Sequence, residues 1–317
     1  MRELRVHPWL WRSQVPVIKP ARLLPGARVG VVAPAGCVDE NALINGVRVI
    51  RDQGFEVEFP PNILERKGYL AGDERNRAND LLKFFARADI SAIFCARGGF
   101  GSAQLLPYMS HADFRLWPKI FAGYSDITIL LNWLNQQFGI VTFHAPMVAM
   151  ELANGLAGRS KEAFWGLLTG EKPGWRIDLG DVIRPGKIEG EMKGGCLSVL
   201  VTTLGTPYEI DTKGKLLFLE DVGERPYRIE RMLTHLRMAG KFDHLAGLVF
   251  GDFTNCEADG SRDVRQIIGE MFGNAEYPVV MGMAAGHGRE HITLPFGVRM
   301  MLDGNLGVLS LIECPVL

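Results

Sequence analysis

The segment Arg28 to Pro34 is rich in β-branched residues and closes on Ala35-Gly36, and Asn41 to Gln53 then repeats apolar side chains at Leu43, Ile44, Val47 and Ile50. The first pattern predicts a strand and the second a helix. The same alternation recurs. Phe55 to Phe59 alternates with period two, and Arg75 to Arg87 carries Leu81, Leu82, Phe84 and Phe85 at helical positions. Ser91 to Ala96 is an apolar run that stops at Arg97-Gly98-Gly99-Phe100-Gly101, with a short helix expected from Ser102. Pro118 to Ala122 stops at Gly123, and helical spacing resumes through Ile127, Leu130, Leu131 and Leu134. Ile140 to Phe143 reads as a further strand before His144-Ala145-Pro146. Strands alternating with helices predict an α/β fold, with an N-terminal largely parallel sheet flanked by helices. Ligands of such sheets sit beyond the carboxyl ends of the strands. Ala33 to Gly36, Arg97 to Gly101, Gly123 to Asp126 and His144 are therefore expected on one rim.

Between Gly158 and Lys187 the pattern fades into a short helix around Phe164 to Leu168 and scattered Gly170, Pro173, Gly174, Gly180, Pro185 and Gly186. Such texture marks a domain boundary. Beyond it, Gly190 to Leu197 leads to a short helix, and Lys215 to Glu220 reads as a strand ending in acids. Tyr227 to Met238 and Val264 to Phe272 read as helices, and Leu245 to Phe250, Tyr277 to Gly282, Val298 to Leu302 and Gly307 to Ile312 as strands. The expected organisation is an arm over 1–20, an α/β domain over 21–157, a linker over 158–187 and a mixed α/β C-terminal domain over 188–317.

Composition narrows the function classes. The chain has 317 residues, 47% hydrophobic and 22% charged, enough to bury a sizeable core. With 35 basic and 36 acidic residues its formal charge is −1, so nucleic acid is not an expected partner. Cys37, Cys95, Cys196, Cys256 and Cys314 are odd in number and far apart, as free thiols in a reducing compartment are. No C-x-x-C pair occurs, and no metal or cofactor is expected. His287 and His291 are four apart, but Gly286, Gly288 and Thr293-Leu294-Pro295 argue against one helix carrying both. Met1 to Pro20 lacks a continuous apolar stretch and reads as an irregular arm rather than a signal peptide or a membrane span. A cytoplasmic protein with no membrane partner is expected.

Candidate chemistry centres on Gly123-Tyr124-Ser125-Asp126. A serine on a strand-to-helix turn projects its hydroxyl off the sheet edge, and the next backbone N–H faces the same space. The same position is also that of a helix N-cap. G-x-S here lacks the second glycine of the G-x-S-x-G elbow, because Ile127 stands there. A serine nucleophile needs a base and a carboxylate to orient it. Among the seven histidines, His7, His111, His235, His244 and His291 sit in polar or charged settings and are expected at the surface. His144 follows a buried strand, and the glycines beside His287 allow close backbone approach. Both remain candidates. Glu220 and Asp221 end an apolar strand on opposite faces; Asp221 suits a solvated end or a helix cap, and Glu220 a site. The glycines of Arg97 to Gly101 permit an anion-binding concavity, although the nucleotide patterns G-x-G-x-x-G and G-K-[ST] are absent.

Taken together, Ala96-Arg97-Gly98-Gly99-Phe100-Gly101, Gly123-Tyr124-Ser125-Asp126-Ile127-Thr128, Gly194-Gly195-Cys196-Leu197, Leu219-Glu220-Asp221 and Gly286-His287-Gly288 resemble the LD-carboxypeptidase family of serine peptidases. That family includes muropeptide LD-carboxypeptidases and microcin C immunity peptidases. The resemblance runs from Pro25 to the end, and Cys196 stands where the family more often has Asn. It implies a Ser125–Glu220–His287 triad and an oxyanion hole from the Asp126 N–H and either Gly98 or Gly99. It also implies a homodimer and no metal. The activity implied is release of terminal D-alanine from murein tetrapeptides, with a microcin-immunity type of amide hydrolase as the near rival and a non-catalytic carboxylate-binding module as the distant one. Arg97 and the paired residues Glu224-Arg225 are expected to line the cleft, where a free substrate carboxylate suits an arginine.

Overall fold

The computed structural model describes residues 15–171, 175–257, 260 and 262–317. His7, the arm before residue 15, and Pro173 and Gly174 lie outside the described residues. The end of the arm is tied down: Ile18 donates to the Gly139 carbonyl at 2.8 Å and accepts from the Val141 N–H at 3.0 Å.

The first half lays down β1 (Arg28–Val32), α1 (Glu40–Asp52), β2 (Glu56–Glu58), α2 (Glu74–Ala86), β3 (Ile90–Cys95), α3 (Leu106–Met109), β4 (Ile120–Gly123), α4 (Thr128–Phe138) and β5 (Thr142–His144). Helix starts follow local chemistry, since Asp39 accepts from the Ala42 N–H and Asp73 from the Arg75 N–H, satisfying donors that the first helical turn leaves open. Every pairing among these five strands is parallel. The predicted alternation is thus realised as one sheet.

The second half continues with α5 (Gly158–Thr169), β6 (Arg176–Asp178), β7 (Asp181–Arg184), β8 (Lys187–Cys196), α6 (Leu197–Leu200), β9 (Lys215–Val222), α7 (Pro226–Met238), β10 (Gly247–Thr254), α8 (Val264–Phe272), β11 (Val279–Met281), β12 (Leu294–Phe296), β13 (Arg299–Asp303) and β14 (Val308–Leu311). Its sheet runs β6-β14-β13-β8-β9-β10-β11-β7. The centre, β8 to β11, is parallel, and the flanks are antiparallel. The fold is α/β, with one largely parallel sheet and one mixed.

Three features depart from the periodicity reading. The stretch 158–187 holds α5 and two short edge strands, β6 and β7, too brief to show an alternation. β8 was hidden by its charges and glycines: its first residues are exposed and pair with β13, while Gly194 and Gly195 adopt φ of 135° and 127°. A Cβ on Gly195 would meet Thr128 Oγ1 at 2.5 Å, so the glycine lets α4 press onto the strand. There the Cys196 N–H donates to Thr128 Oγ1 at 3.1 Å, and Asn132 Nδ2 donates to the Gly194 carbonyl at 2.7 Å. β12 leaves the second half altogether and pairs antiparallel with β5, where Pro295 is tolerated because the strand is an edge.

β9 shows how the second sheet divides its faces. Leu216 and Phe218 join the large core shared with the first sheet, while Leu217 and Leu219 join a separate core under α7 and α8. Period-two alternation then turns Glu220 toward the first sheet and Asp221 away from it.

Candidate active site

From Lys119 to Asn135 every residue is buried except Ser125. The turn that exposes it is sterically forced. Gly123 admits no side chain, because a Cβ would sit 3.0 Å from Cys95 Cβ and 3.1 Å from Ile127 Cγ2. Ser125 itself has φ 62°, in the left-handed region that costs a residue with a Cβ about 1–2 kcal/mol. The elbow strain is therefore present without the second glycine. Neither the 3-10 turn Ser125–Ile127 nor α4 takes a side-chain cap, so the capping role is not the one the serine plays.

The expected rim assembles around this turn. The Gly36 N–H donates to the Gly98 carbonyl at 2.9 Å. A Cβ on Gly98 would lie 3.0 Å from Ser125 Oγ and 3.4 Å from the Asp126 nitrogen, whereas one on Gly99 would face Gly36. Gly98 is thus the glycine against the serine. The Asp126 side chain points away and accepts from the Ser102 N–H at 2.8 Å, while Ser102 Oγ donates to the Asp126 carbonyl at 2.6 Å; burial raises the carboxyl pKa of Asp126. Arg77 of α2, which sequence reasoning did not single out, is 2% exposed. It donates to the carbonyls of Pro34 at 2.5 Å and Gly101 at 3.0 Å and to Gln104 at 2.7 Å. Two strand-end loops are thereby clamped together.

His287 Nδ1 lies 2.7 Å from Glu220 Oε2. The flanking glycines have distinct partners: a Cβ on Gly286, at φ 122°, would meet that same oxygen at 2.5 Å, and one on Gly288 would collide with the Asp252 carboxylate. Glu220 is fully buried. Burial pushes its pKa up, but the imidazoles of His144 and His287 outweigh that and hold it below the ordinary value. Burial pulls His287 down, yet the hydrogen bond and charge of Glu220 leave it raised. Burial and the nearby Glu220 charge push Asp252 up to about 6. Tyr124 packs its ring 4.8 Å from that of His287 and donates its hydroxyl to Glu151 at 2.6 Å. Sequence reasoning passed over Tyr124, although its place beside Ser125 was the available signal.

Other expectations resolve differently. His144 has no exposed surface and Nδ1 contacts Nε2 of His291 at 3.2 Å. His291 is 2% exposed, not a surface residue, because β12 folds the chain beyond Glu290 back against β5. Its pKa is driven well below the ordinary value by burial and by the neighbouring histidines. Asp221 is neither solvated nor a cap for the helix after it. It accepts from the Ser198 N–H at 2.7 Å and so caps α6, and burial pushes it up to about 6. Arg97 Nη1 donates to the Cys37 carbonyl at 3.1 Å. Glu224 lies 3.5 Å from Arg228, and Arg225 precedes α7 with an exposed side chain. Beside His287 opens a cavity of about 520 Å³, lined by Glu151, Gly155, Gly288, Arg289 and His291 among others. Among the described residues no cluster of metal-ligating side chains occurs, and no helix is long and apolar enough to cross a membrane.

Comparison with known proteins returns two family models, the LD-carboxypeptidase N-terminal domain over residues 29–145 and the LD-carboxypeptidase C-terminal domain over residues 189–302. A probable murein peptide carboxypeptidase of Bacillus subtilis is 37% identical over 90% of this chain and 91% of its own. The Microcin C7 self-immunity protein MccF of Escherichia coli is 26% identical over 89% and 91% of the two chains. The crystal structure of a muramoyltetrapeptide carboxypeptidase from Oxalobacter formigenes superposes with a TM-score of 0.82 at 28% identity, covering 90% of this chain and 98% of that one.

Proposed function

This chain belongs to the LD-carboxypeptidase family and is a serine-type carboxypeptidase, and from that premise we propose that it cleaves the L,D peptide bond of murein tetrapeptides with a Ser125–His287–Glu220 triad. Ser125 Oγ attacks the carbonyl carbon as His287 Nε2 takes its proton, and Glu220 stabilises the imidazolium through Nδ1–H. The backbone N–H groups of Asp126 and Gly98 receive the oxyanion. The imidazolium then protonates the leaving D-alanine amine, and water repeats the cycle on the acyl-enzyme. The 2.7 Å contact of His287 with a fully buried Glu220 carries this reading, because a dry carboxylate holds one tautomer and leaves Nε2 free as a base.

Within this reading the cavity beside His287 takes the carboxylate end of the substrate, with Arg289 as the guanidinium that lines it; Arg97, Glu224 and Arg225 are not among its lining residues. Residues 21–157 supply nucleophile and oxyanion hole, and 188–317 supply acid and base. The protein works in the cytoplasm as a homodimer. The kinship with the microcin C7 immunity protein supports a second reading, hydrolysis of an aminoacyl-nucleotide type of amide by the same triad.

Mass spectrometry of a disaccharide-tetrapeptide, its C-terminal amide and a microcin-like substrate separates these readings. Release of D-alanine from the free acid alone is the expected result. Equal rates on acid and amide would remove the carboxypeptidase specificity, and turnover of only the microcin-like substrate would favour the second reading. Sedimentation checks the dimer.

A further inference from the structure

Glu220 spends only one carboxylate oxygen on His287. The other, Oε1, is buried without a hydrogen-bond partner and lies 3.8 Å from Nε2 of His144, which is equally buried and equally unpartnered. Behind it His144 Nδ1 meets His291 Nε2 at 3.2 Å, and His291 Nδ1 is again buried with no partner. The His144 ring is fixed from all sides. Its residue is paired with Gly123 and Leu294 across the sheet, and Tyr124, Phe218 and Phe296 pack on the imidazole.

Only one placement of protons suits this row with every imidazole neutral. If His291 Nε2–H donates to His144 Nδ1, then His144 carries its proton on Nε2, aimed at Glu220 Oε1, and the row ends on a lone pair at His291 Nδ1. The opposite tautomer would set a lone pair of His144 against a carboxylate oxygen in a dry interior, where facing acceptors repel. The other titratable groups acting on this neighbourhood are Cys196 on β8, Asp221 on β9, Asp252 on β10, Glu290 beside Asp252, and Tyr124 with Glu151 behind it. None of these is a cation.

We propose that His144 is a positioning residue for the Glu220 carboxylate, its Nε2–H held toward Oε1 by the hydrogen bond that His291 donates to its Nδ1. A tilt of about an ångström brings the 3.8 Å pair to hydrogen-bond distance. The inference rests on the reading of Glu220 and His287 as the acid and base of the site. Its consequence is a divided charge: an N–H on Oε1 takes up part of the carboxylate's negative charge, so that His287 is held as a base of moderate rather than high proton affinity.

The test compares His144→Leu, which removes the donor, with His144→Gln, which returns an amide N–H near the position of Nε2. H144L is expected to lower kcat for the tetrapeptide about tenfold at unchanged KM, and to move the acidic limb of kcat upward by about one pH unit. H144Q is expected to restore the limb. Both variants equally impaired with an unmoved limb would reduce His144 to packing. A readout independent of turnover is the NMR titration of His287 in the S125A background, where H144L should raise its pKa and H144Q should not. Should H144L fail to fold, H291L removes the donor behind His144 and is expected to give the same direction. An unchanged His287 titration in H144L, or in H291L where H144L does not fold, overturns the proposal. If S125A itself retains turnover, the triad reading fails, while the titration still reports whether His144 acts on Glu220.

Discussion

Gly98 lies so close to Ser125 that a Cβ on it would sit 2.8 Å from the serine Cβ and 3.0 Å from the hydroxyl oxygen. A methyl there would push the serine or displace the glycine turn, and neither leaves the attack geometry intact. Gly98→Ala is expected to cut kcat by about 10²- to 10³-fold, the range for losing an oxyanion donor, with a small change in melting temperature. Gly99→Ala acts differently. At φ 109° and facing Gly36, it is expected to lower stability more than kcat. Kinetics and thermal melts on the two variants check the contrast.

Ser125→Ala should abolish turnover without the loss of about 0.5–2 kcal/mol that follows removal of a helix cap, because no capping hydrogen bond exists at this turn. Ser125→Gly, also inactive, should melt no lower than Ser125→Ala, since glycine relieves the left-handed backbone at φ 62°. Retained activity in either folded variant would remove the serine from the chemistry.

Acid should act twice. As the proposed base, His287 has to be neutral to take a proton, and its pKa is raised above 6.5 by Glu220 against the pull of burial, so kcat/KM should rise with pH through a limb above that of free histidine. Stability runs the other way for His291, whose folded pKa lies well below 6.5. Its contribution is present above the unfolded pKa and is lost as pH falls below it. Glu220, lowered from 4.5, adds the same sense of loss further down. The raised His287 contributes stability that is full below pH 6.5 and disappears as pH rises through its folded pKa. As pH falls from 7 to 5, Asp221 and Asp252, both pushed up to about 6, gain stability along with His287, so His291 is read by difference: the melting temperature of His291→Gln relative to that of the wild type should rise over the same interval.

Arg77→Met should destabilise the chain by roughly 2–4 kcal/mol, since it leaves the buried Pro34 and Gly101 carbonyls without their donor. Because those carbonyls belong to the loops around Gly98, kcat is expected to fall as well. A melt unchanged from wild type would show that the clamp is dispensable.

Strands β1, β2 and β4 were legible because each is followed by a helix with its own apolar stripe, and the candidate chemistry lay at glycine-marked turns. Residues whose importance comes from distant chain partners were not. His291 reads as a surface residue until β12 brings it beside His144, and nothing in the spacing of α2 marks Arg77 as the donor to two separate loops. β8 was obscured for the opposite reason: its glycines look like a loop, and only the approach of Thr128 and Asn132 from α4 explains them. Local pattern reports which backbone forms. It does not report which side of it another part of the chain will cover.

The return of Leu294–Phe296 to the edge of β5 also sets an order of events during synthesis. The strand bearing His144 is made early, yet its open edge stays unpaired until nearly the whole chain has left the ribosome. Through that interval the unpaired edge offers its backbone groups to any neighbouring chain. Truncations that stop before Leu294 should consequently aggregate rather than persist as a folded N-terminal half.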